Sequence, residues 1–124
     1  MGDRTALIIS CTVEQAAAIH QRAESERRTL SGYVLRIVSR WLDIEERLLI
    51  SQQETGRPLS PYLRVRPAGK RTTMLIRCSK QEADRIRAGA KRRFTTISWF
   101  IVQTLNLSWS AKDRMLTEFR DKST

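Results

Sequence analysis

The sequence predicts a mainly α-helical fold with a two-stranded antiparallel β-ribbon. Residues 4–12 return in similar form as residues 71–79, and apolar and polar side chains alternate in both stretches. Each stretch runs directly into a helix-start signal and then into two helical patterns. A shift of 67 residues aligns 4–49 with 71–116 without a gap, and 11 of the 46 pairs are identical. About three identities are expected by chance from typical residue frequencies, so the chain contains a duplication.

Each strand has one face that is suited to a core. Side chains alternate between the two faces of a strand, so six apolar residues share the inward side: Leu7, Ile9, Cys11, Met74, Ile76 and Cys78. The two cysteines are expected to be small buried hydrophobes, and two cysteines with one histidine, His20, cannot form a zinc site. No cofactor is predicted. Because a lone strand has two unpaired edges, we expect the two strands to pair with each other.

The helices follow from capping signals and apolar spacing. Thr12 with Gln15, and Ser79 with Glu82, have the spacing of a capping box. The first helix of each repeat then buries a stripe of small and branched residues, which is Ala16, Ile19, Ala23 and Ala83, Ile86, Ala90. Thr29 and Thr96 are the expected N-caps of the second helices, which carry the largest apolar side chains and should form the centre of the core.

The ends of the repeats are set by polar and proline-rich segments. Residues around Asp43 and Ser110 resemble new caps, so each second helix is expected to bend there and to continue to about Ile50 and Phe119. The predicted organisation is a first repeat at 1–50, a linker at 51–69 and a second repeat at 70–124. A half of about 45 residues is near the limit for independent folding, so the repeats are expected to form one compact domain.

The charge distribution points to a polyanionic partner. Residues 1–50 carry seven Lys/Arg and seven Asp/Glu, whereas residues 70–124 carry thirteen and five, which places +8 of the net +10 in the second repeat. No apolar run reaches the ~18 residues that a membrane span needs, so no membrane partner and a cytoplasmic location are expected. An enzyme is not predicted, because no paired carboxylates, glycine-rich loop or metal-ligand spacing could carry catalysis.

The order of strand, capped helix and second helix resembles the ribbon-helix-helix family of DNA-binding proteins. Thr29-Leu30-Ser31 and Thr96-Ile97-Ser98 match the family's Ser-x-Ser-like start of the second helix. The resemblance covers both repeats and implies a tandem pseudo-dimer in one chain, similar to the tandem-repeat relaxosome accessory proteins of conjugative plasmids. It also implies a ribbon inserted into the major groove of double-stranded DNA. The implied roles are transcriptional repressor, partition factor or relaxosome accessory, associated with a nucleoid or plasmid.

The resemblance also implies which residues contact DNA. The base-contacting positions are the central outward residues of the strands, which are Ala6, Ile8, Ser10, Thr73, Leu75 and Arg77. Arg77 is the best candidate for reading a guanine, whereas the apolar members can only contact thymine methyl groups. Phosphate contacts are expected from free amides at the starts of the second helices and from flanking cations: Arg4, Arg27, Arg28, Thr29, Ser31, Lys70, Arg71, Arg92, Arg93, Thr96 and Ser98.

The sequence leaves several alternatives open. Ile8 and Leu75 could belong to a protein interface, as in a protein-interaction module of antitoxin type with weak or no sequence-specific DNA binding. A partner could also dock on the linker, through Pro58, Pro61, Tyr62, Leu63 and Val65. RNA binding is disfavoured because neither strand carries stacking aromatic residues. Further copies of the chain could bind side by side along DNA. The operator sequence, and whether the strands pair within one chain or between two chains, are left open.

Overall fold

The computed structural model describes residues 3–55, 61 and 68–122, and side chains within 3–50, 61 and 68–111. The elements in chain order are β1 (Arg4–Thr12), α1 (Val13–Ser25), α2 (Leu30–Thr55), β2 (Arg71–Ser79), α3 (Lys80–Arg92) and α4 (Ile97–Lys122). The predicted fold class is confirmed at this level, because four helices accompany one two-stranded antiparallel sheet in the described part of the chain. The predicted docking segment of the linker lies outside the described residues apart from Pro61.

The two strands pair antiparallel with each other along their whole length. Ile8 faces Leu75 at the centre, and the register runs from Arg4 opposite Ser79 to Thr12 opposite Arg71. The inward face carries the six apolar residues that the alternation predicted, and all six are buried. The pairing therefore places every apolar residue of this set on the side that the helices cover.

The helices bury the residues that their spacing predicted. The short helices contribute Ala16, Ile19, Ala23, Ala83, Ile86 and Ala90, and the long helices contribute larger side chains that include Val34, Val38, Leu42, Phe100, Ile101 and Leu105. The small residues let α1 and α3 lie close to the ribbon, while the larger ones fill the centre. Cys11 and Cys78 are buried free thiols. Burial raises the pKa of both thiols, so they stay protonated and unreactive near neutral pH.

The N-caps predicted at the four helix starts are confirmed by their hydrogen bonds. Thr12 Oγ1 accepts from the Gln15 amide at 3.1 Å, and Gln15 Oε1 accepts from the Thr12 amide at 2.8 Å. Ser79 and Glu82 make the same reciprocal pair. Thr29 Oγ1 and Thr96 Oγ1 each accept from the amide three residues on, at 3.1 Å. Local sequence therefore determines where all four helices begin.

The predicted bend in the second helices is wrong, because α2 and α4 each continue as one helix of 26 residues. Residues 33–55 and 97–122 contain no glycine or proline, so no such residue interrupts the helical backbone hydrogen bonds there. The Asp43 carboxylate, read as part of a new cap, instead accepts from Arg85 Nη2 at 2.8 Å. Helix α2 also extends five residues into the range predicted as linker and ends at the residue before Gly56, which is a helix-stop signal.

The turns between the helices place non-glycine residues in the left-handed region. Arg27 has a φ of 54° and Phe94 a φ of 55°. In the second turn, the Phe94 amide donates to the Lys91 carbonyl at 3.1 Å and the Thr95 amide donates to the Ala90 carbonyl at 3.0 Å. This is the paired hydrogen-bond pattern of a Schellman motif, whose left-handed position is usually glycine. Both turns therefore carry a steric cost at one residue.

We expect Phe94→Gly to raise the free energy of unfolding by about 0.5–1 kcal/mol, because glycine adopts the left-handed conformation without a Cβ clash. The Phe94 side chain is 80% exposed, so its removal costs little packing. Urea denaturation of the variant and the parent chain measures the change. Lys91→Gly is the matched control, since this exposed position is inside α3 and should lose about 1 kcal/mol. Equal destabilisation of both variants would contradict the steric argument.

Candidate nucleic-acid interface

The outward face of the ribbon brings the predicted base-contacting residues together. Ile8 lies opposite Leu75 at the centre, with Ala6 opposite Arg77 on one side and Ser10 opposite Thr73 on the other. All six side chains are on the face away from the core, and only Ser10 is partly covered. The face is therefore a continuous surface of three cross-strand pairs, apolar in the middle and polar toward both ends.

Exposed arginine side chains lie on both strands of this face, and neither strand contains an aspartate or glutamate. Arg4 and Arg71 are exposed at the starts of the two strands, and Arg77 is exposed within β2. Arg71 Nη2 donates to Ser10 Oγ at 3.0 Å, so the Arg71 side chain lies along the ribbon surface. Because the Ser10 oxygen accepts this bond, its hydroxyl hydrogen is left to donate to another acceptor.

The N-termini of α2 and α4 are tied to the ribbon by one serine each. Ser31 Oγ accepts from the Arg77 amide at 2.8 Å, and Ser98 Oγ accepts from the Ser10 amide at 2.9 Å. Each long helix therefore begins against the strand of the other repeat. The two bonds also satisfy amides on the outer edges of β1 and β2, which the opposite strand cannot reach.

The same arrangement leaves amides at the helix starts. Helix geometry provides no intrahelical carbonyl for the first four amides. In α2 these are the amides of residues 29–32. Gly32 donates to Thr29 Oγ1, and Tyr33 makes the first ordinary helical bond, to the Thr29 carbonyl. The first two amides of α2, and likewise those of α4, have no carbonyl partner within their helix. They carry the positive end of the helix dipole beside the ribbon, which is a favourable environment for an anion.

The predicted phosphate-contacting residues divide into two groups. The exposed group consists of Arg4, Arg27, Arg28, Thr29, Lys70, Arg71 and Thr96. Arg27 and Arg28 precede the N-cap of α2, and Lys70 precedes β2, where its carbonyl accepts from the Val13 amide at 2.9 Å. The second group is partly buried and is held by other parts of the protein. It contains Ser31 and Ser98, whose hydroxyls accept from the strands, and the arginine pair Arg92 and Arg93.

Arg92 and Arg93 are held by a buried carboxylate. Glu45 is 1% exposed, and its Oε1 accepts from Arg93 Nε at 2.8 Å and from Trp41 Nε1 at 2.8 Å. Arg93 Nη2 lies 2.6 Å from the same oxygen, and Arg92 Nη2 lies 3.7 Å from Glu45 Oε2. Both guanidinium groups therefore pair with Glu45 between α3 and α2, and 12% of the Arg93 side chain and 25% of the Arg92 side chain stay exposed. Their phosphate contacts stay a prediction.

The helical spacing in the sequence indicates an inward position for Glu45, which the predicted site did not include. Val34, Val38 and Trp41 follow the helical spacing of an inward stripe, and Glu45 is the next residue on that stripe. A carboxylate at an inward position needs a cationic partner, because a buried charge is costly when it is unpaired. The second repeat gives no parallel for this carboxylate, since the residue that aligns with Glu45 is Lys112.

Comparison with known proteins gives no match to a family model, a curated protein or a solved structure. The class that the fold defines is a mainly helical protein with a two-stranded antiparallel sheet. None of the helices in the described residues is both long enough and apolar enough to span a membrane.

Proposed function

We propose that the chain is a DNA-binding protein whose two repeats form a tandem ribbon-helix-helix unit. In this proposal the ribbon enters the major groove of double-stranded DNA, and the starts of α2 and α4 contact the phosphates on either side. The protein would act as a transcriptional repressor, a partition factor or a relaxosome accessory. The net charge of +10 favours a polyanionic partner.

The observation that carries the proposal is the pair of serine bonds to the ribbon. Ser31 and Ser98 place the free amides of two helix N-termini at the edges of β2 and β1, on either side of one exposed face. A two-stranded ribbon has the width that the major groove accepts, and helix N-termini are suited to phosphate oxygens. The combination supplies side chains for bases and amides for the backbone in one surface.

The ribbon residues have different tasks in this proposal. Arg77 can donate two hydrogen bonds to O6 and N7 of a guanine. Ser10 is oriented by Arg71 and can donate its hydroxyl hydrogen to a base acceptor. Ile8 and Leu75 can contact thymine methyl groups at the centre. Because Ala6 faces Arg77 while Ser10 faces Thr73, the two ends of the ribbon differ, and the recognised sequence should be asymmetric.

Selection of bound duplexes from a randomised pool, at about physiological salt, tests the proposal. We expect enrichment of an asymmetric motif that contains a guanine. Arg77→Ala should weaken binding to that motif by ~1–3 kcal/mol, about 5- to 150-fold, and should relax the preference at one position. Leu75→Glu should remove binding, because it places a carboxylate at the centre of the surface that meets DNA. The logarithm of affinity should fall with the logarithm of salt concentration, by about 0.9 per phosphate contact.

Arg87→Ala is the matched control for Arg77→Ala. Arg87 is an exposed arginine on α3 that pairs with Asp84 at 3.3 Å, and it is outside the ribbon. Its removal should leave the selected motif and the affinity within about twofold of the parent chain. A motif that is symmetric about a single bound molecule, or an equal loss in both variants, would argue against readout by the ribbon.

The second candidate function is a protein-interaction module of antitoxin type. It is favoured by the exposed apolar pair at the centre of the ribbon, where Ile8 is 71% and Leu75 is 47% exposed. Exposed apolar pairs of this kind are typical of protein interfaces as well as of thymine contacts. Absence of duplex binding in the selection, together with capture of a protein that Leu75→Glu releases, would favour this function.

A further inference from the structure

A groove lies on the helical part of the protein, and no ribbon residue lines it. Its cavity has a volume of about 380 Å³ and is bounded by the C-terminal end of α1, the middle of α2 and residues 108–111 of α4. The apolar and aromatic side chains that line it are Tyr33, Ile37, Trp41, Ile44 and Trp109. None of these residues has a role in the DNA-binding proposal, so the groove is a candidate for a second binding function.

The aromatic residues of the groove are held in place by hydrogen bonds. Trp109 Nε1 donates to Tyr33 Oη at 2.9 Å, and Trp41 Nε1 donates to Glu45 Oε1 at 2.8 Å. Both indole N–H groups are satisfied within the protein, so the rings offer apolar surface wherever they are uncovered. One face of the Trp109 ring is covered by Arg22. A preorganised aromatic floor of this kind binds an apolar side chain without the cost of ordering its own residues.

An apolar stripe on α2 extends beyond the cavity. Ile37, Trp41, Ile44 and Leu48 follow one another at intervals of four, three and four residues, so they lie along one side of the helix. Ile44 is 51% and Leu48 is 47% exposed. Eleven residues of helix correspond to about 16 Å, which is three turns. An elongated apolar stripe of this length fits a helical segment better than a compact small molecule.

Three arginines surround the groove. The Arg22 guanidinium lies 4.3 Å from the centroid of the Trp109 ring. Arg36 approaches Glu26 only loosely, at 3.9 Å, and its side chain is 43% exposed. Arg40 is exposed and also lines the cavity. Among the lining residues whose side chains the structure describes, Glu26 is the one carboxylate, so these residues carry an excess of two positive charges. Its electrostatic complement is an acidic ligand.

We propose that this groove binds an acidic amphipathic helix of a partner protein. Apolar residues on one side of that helix contact Ile37, Trp41 and Ile44, and carboxylates beside them pair with Arg36 and Arg40. Helix-in-groove recognition uses anchors at such spacing, and complementary charge increases the association rate. The proposal is independent of the DNA-binding function, because the groove and the ribbon share no residue.

The duplication does not repeat the three residues of this stripe that line the groove. The positions that align with Ile37, Trp41 and Ile44 are Thr104, Ser108 and Ala111, which are smaller or polar. Ser108 and Ala111 instead line the opposite side of the same groove, where small side chains leave room for a ligand. The proposal therefore places one partner helix in this groove of each chain.

Selection from a displayed library of helical peptides of about 18 residues tests the proposal. The library varies apolar and charged positions, and the bait is the full chain. Enriched peptides should have apolar residues at i, i+3 or i+4, and i+7, and should be net acidic. Binding should change the fluorescence of Trp41 and Trp109. Ile44→Glu should lower the affinity at least about tenfold by faster dissociation, since it removes an exposed anchor whose loss does not disturb the core.

Arg40→Glu tests the charge separately. It should slow association and reduce the salt dependence of peptide binding, with an affinity about tenfold lower. Lys91→Glu is the control, because it makes the same charge change at an exposed residue of α3 that does not line the groove. Its affinity should remain within about twofold of the parent chain.

Three outcomes would overturn the proposal. Enrichment of neutral or basic peptides would contradict the acidic partner. An equal loss in Arg40→Glu and Lys91→Glu would show only general attraction to a basic protein. Dimerisation of the chain itself, measured by sedimentation and removed by Ile44→Glu, would assign the groove to a second copy. Each of these leaves the duplex selection unaffected, so failure here is distinguishable from failure of the DNA-binding proposal.

Discussion

Glu45→Gln is expected to lower the free energy of unfolding by about 3–5 kcal/mol, the usual cost of removing one partner of a buried ion pair. The Glu45 side chain is 2% exposed, and its carboxylate faces two guanidinium groups. The amide that replaces it can accept one hydrogen bond from Arg93 but carries no charge, so a buried cation is left uncompensated. Urea denaturation followed by circular dichroism measures the change.

Glu46→Gln is the control for this prediction. Glu46 Oε1 accepts from Arg85 Nε at 3.0 Å, but its side chain is 42% exposed, so its removal should cost no more than about 1 kcal/mol. Glu45→Met combined with Arg92→Leu and Arg93→Leu should recover part of the lost stability, because buried ionic groups can be replaced by apolar residues of similar volume. The Trp41 indole N–H still loses its acceptor in this variant. If Glu45→Gln lowered the free energy of unfolding by less than about 1 kcal/mol, water would have to solvate Glu45, Arg92 and Arg93 in the folded protein.

Gly89→Leu should destabilise the protein by about 3 kcal/mol through overpacking. A Cβ atom on Gly89 would lie 2.8 Å from Leu42 Cδ2 and 2.8 Å from Phe100 Cζ, and both neighbours are fully buried. Because both side chains are buried in the core, we expect α3 to shift away from α2 and α4. The better helix propensity of leucine offsets only about 0.8 kcal/mol of this cost.

Ala88→Leu provides the comparison for Gly89→Leu. Ala88 is the preceding residue of α3 and is exposed, so the same side chain should change the stability by less than about 0.5 kcal/mol there. Thermal unfolding of both variants distinguishes the two positions. Equal melting temperatures for Gly89→Leu and Ala88→Leu would contradict the prediction, because they would show that Leu42 and Phe100 leave room for a side chain at position 89.

Gly89 and Glu45 make the two halves of the protein unequal. The position that aligns with Gly89 is Arg22, which lies over Trp109, and the position that aligns with Glu45 is Lys112. One side of the fold is therefore closed by tight packing and a buried ion cluster. The other side has the groove, with an arginine where the first side has a glycine. The duplication preserved the capping residues and the core stripes but not the surfaces around them.

Much of the fold could be predicted from the sequence because the relevant interactions are local. Thr12 and Gln15 are three residues apart, and so are Thr29 and the amide that it caps. The alternation in the strands and the spacing of Ile19 and Ala23 report which side faces the core, whatever the core contains. The bend predicted near Asp43 was wrong because a cap-like sequence does not end a helix whose backbone ladder is uninterrupted.

The sequence by itself determined the duplication, the helix starts and the inward face of each strand. Only the tertiary structure decided which residues meet across the chain. Ser10 and Ser98 are 88 residues apart, and Arg93 and Glu45 are 48 apart. No periodicity or cap encodes such pairs, because they depend on the strand register and on the direction in which each long helix leaves the ribbon. For this reason Arg92 and Arg93, which resemble a basic patch in the sequence, are internal partners of a carboxylate in the fold.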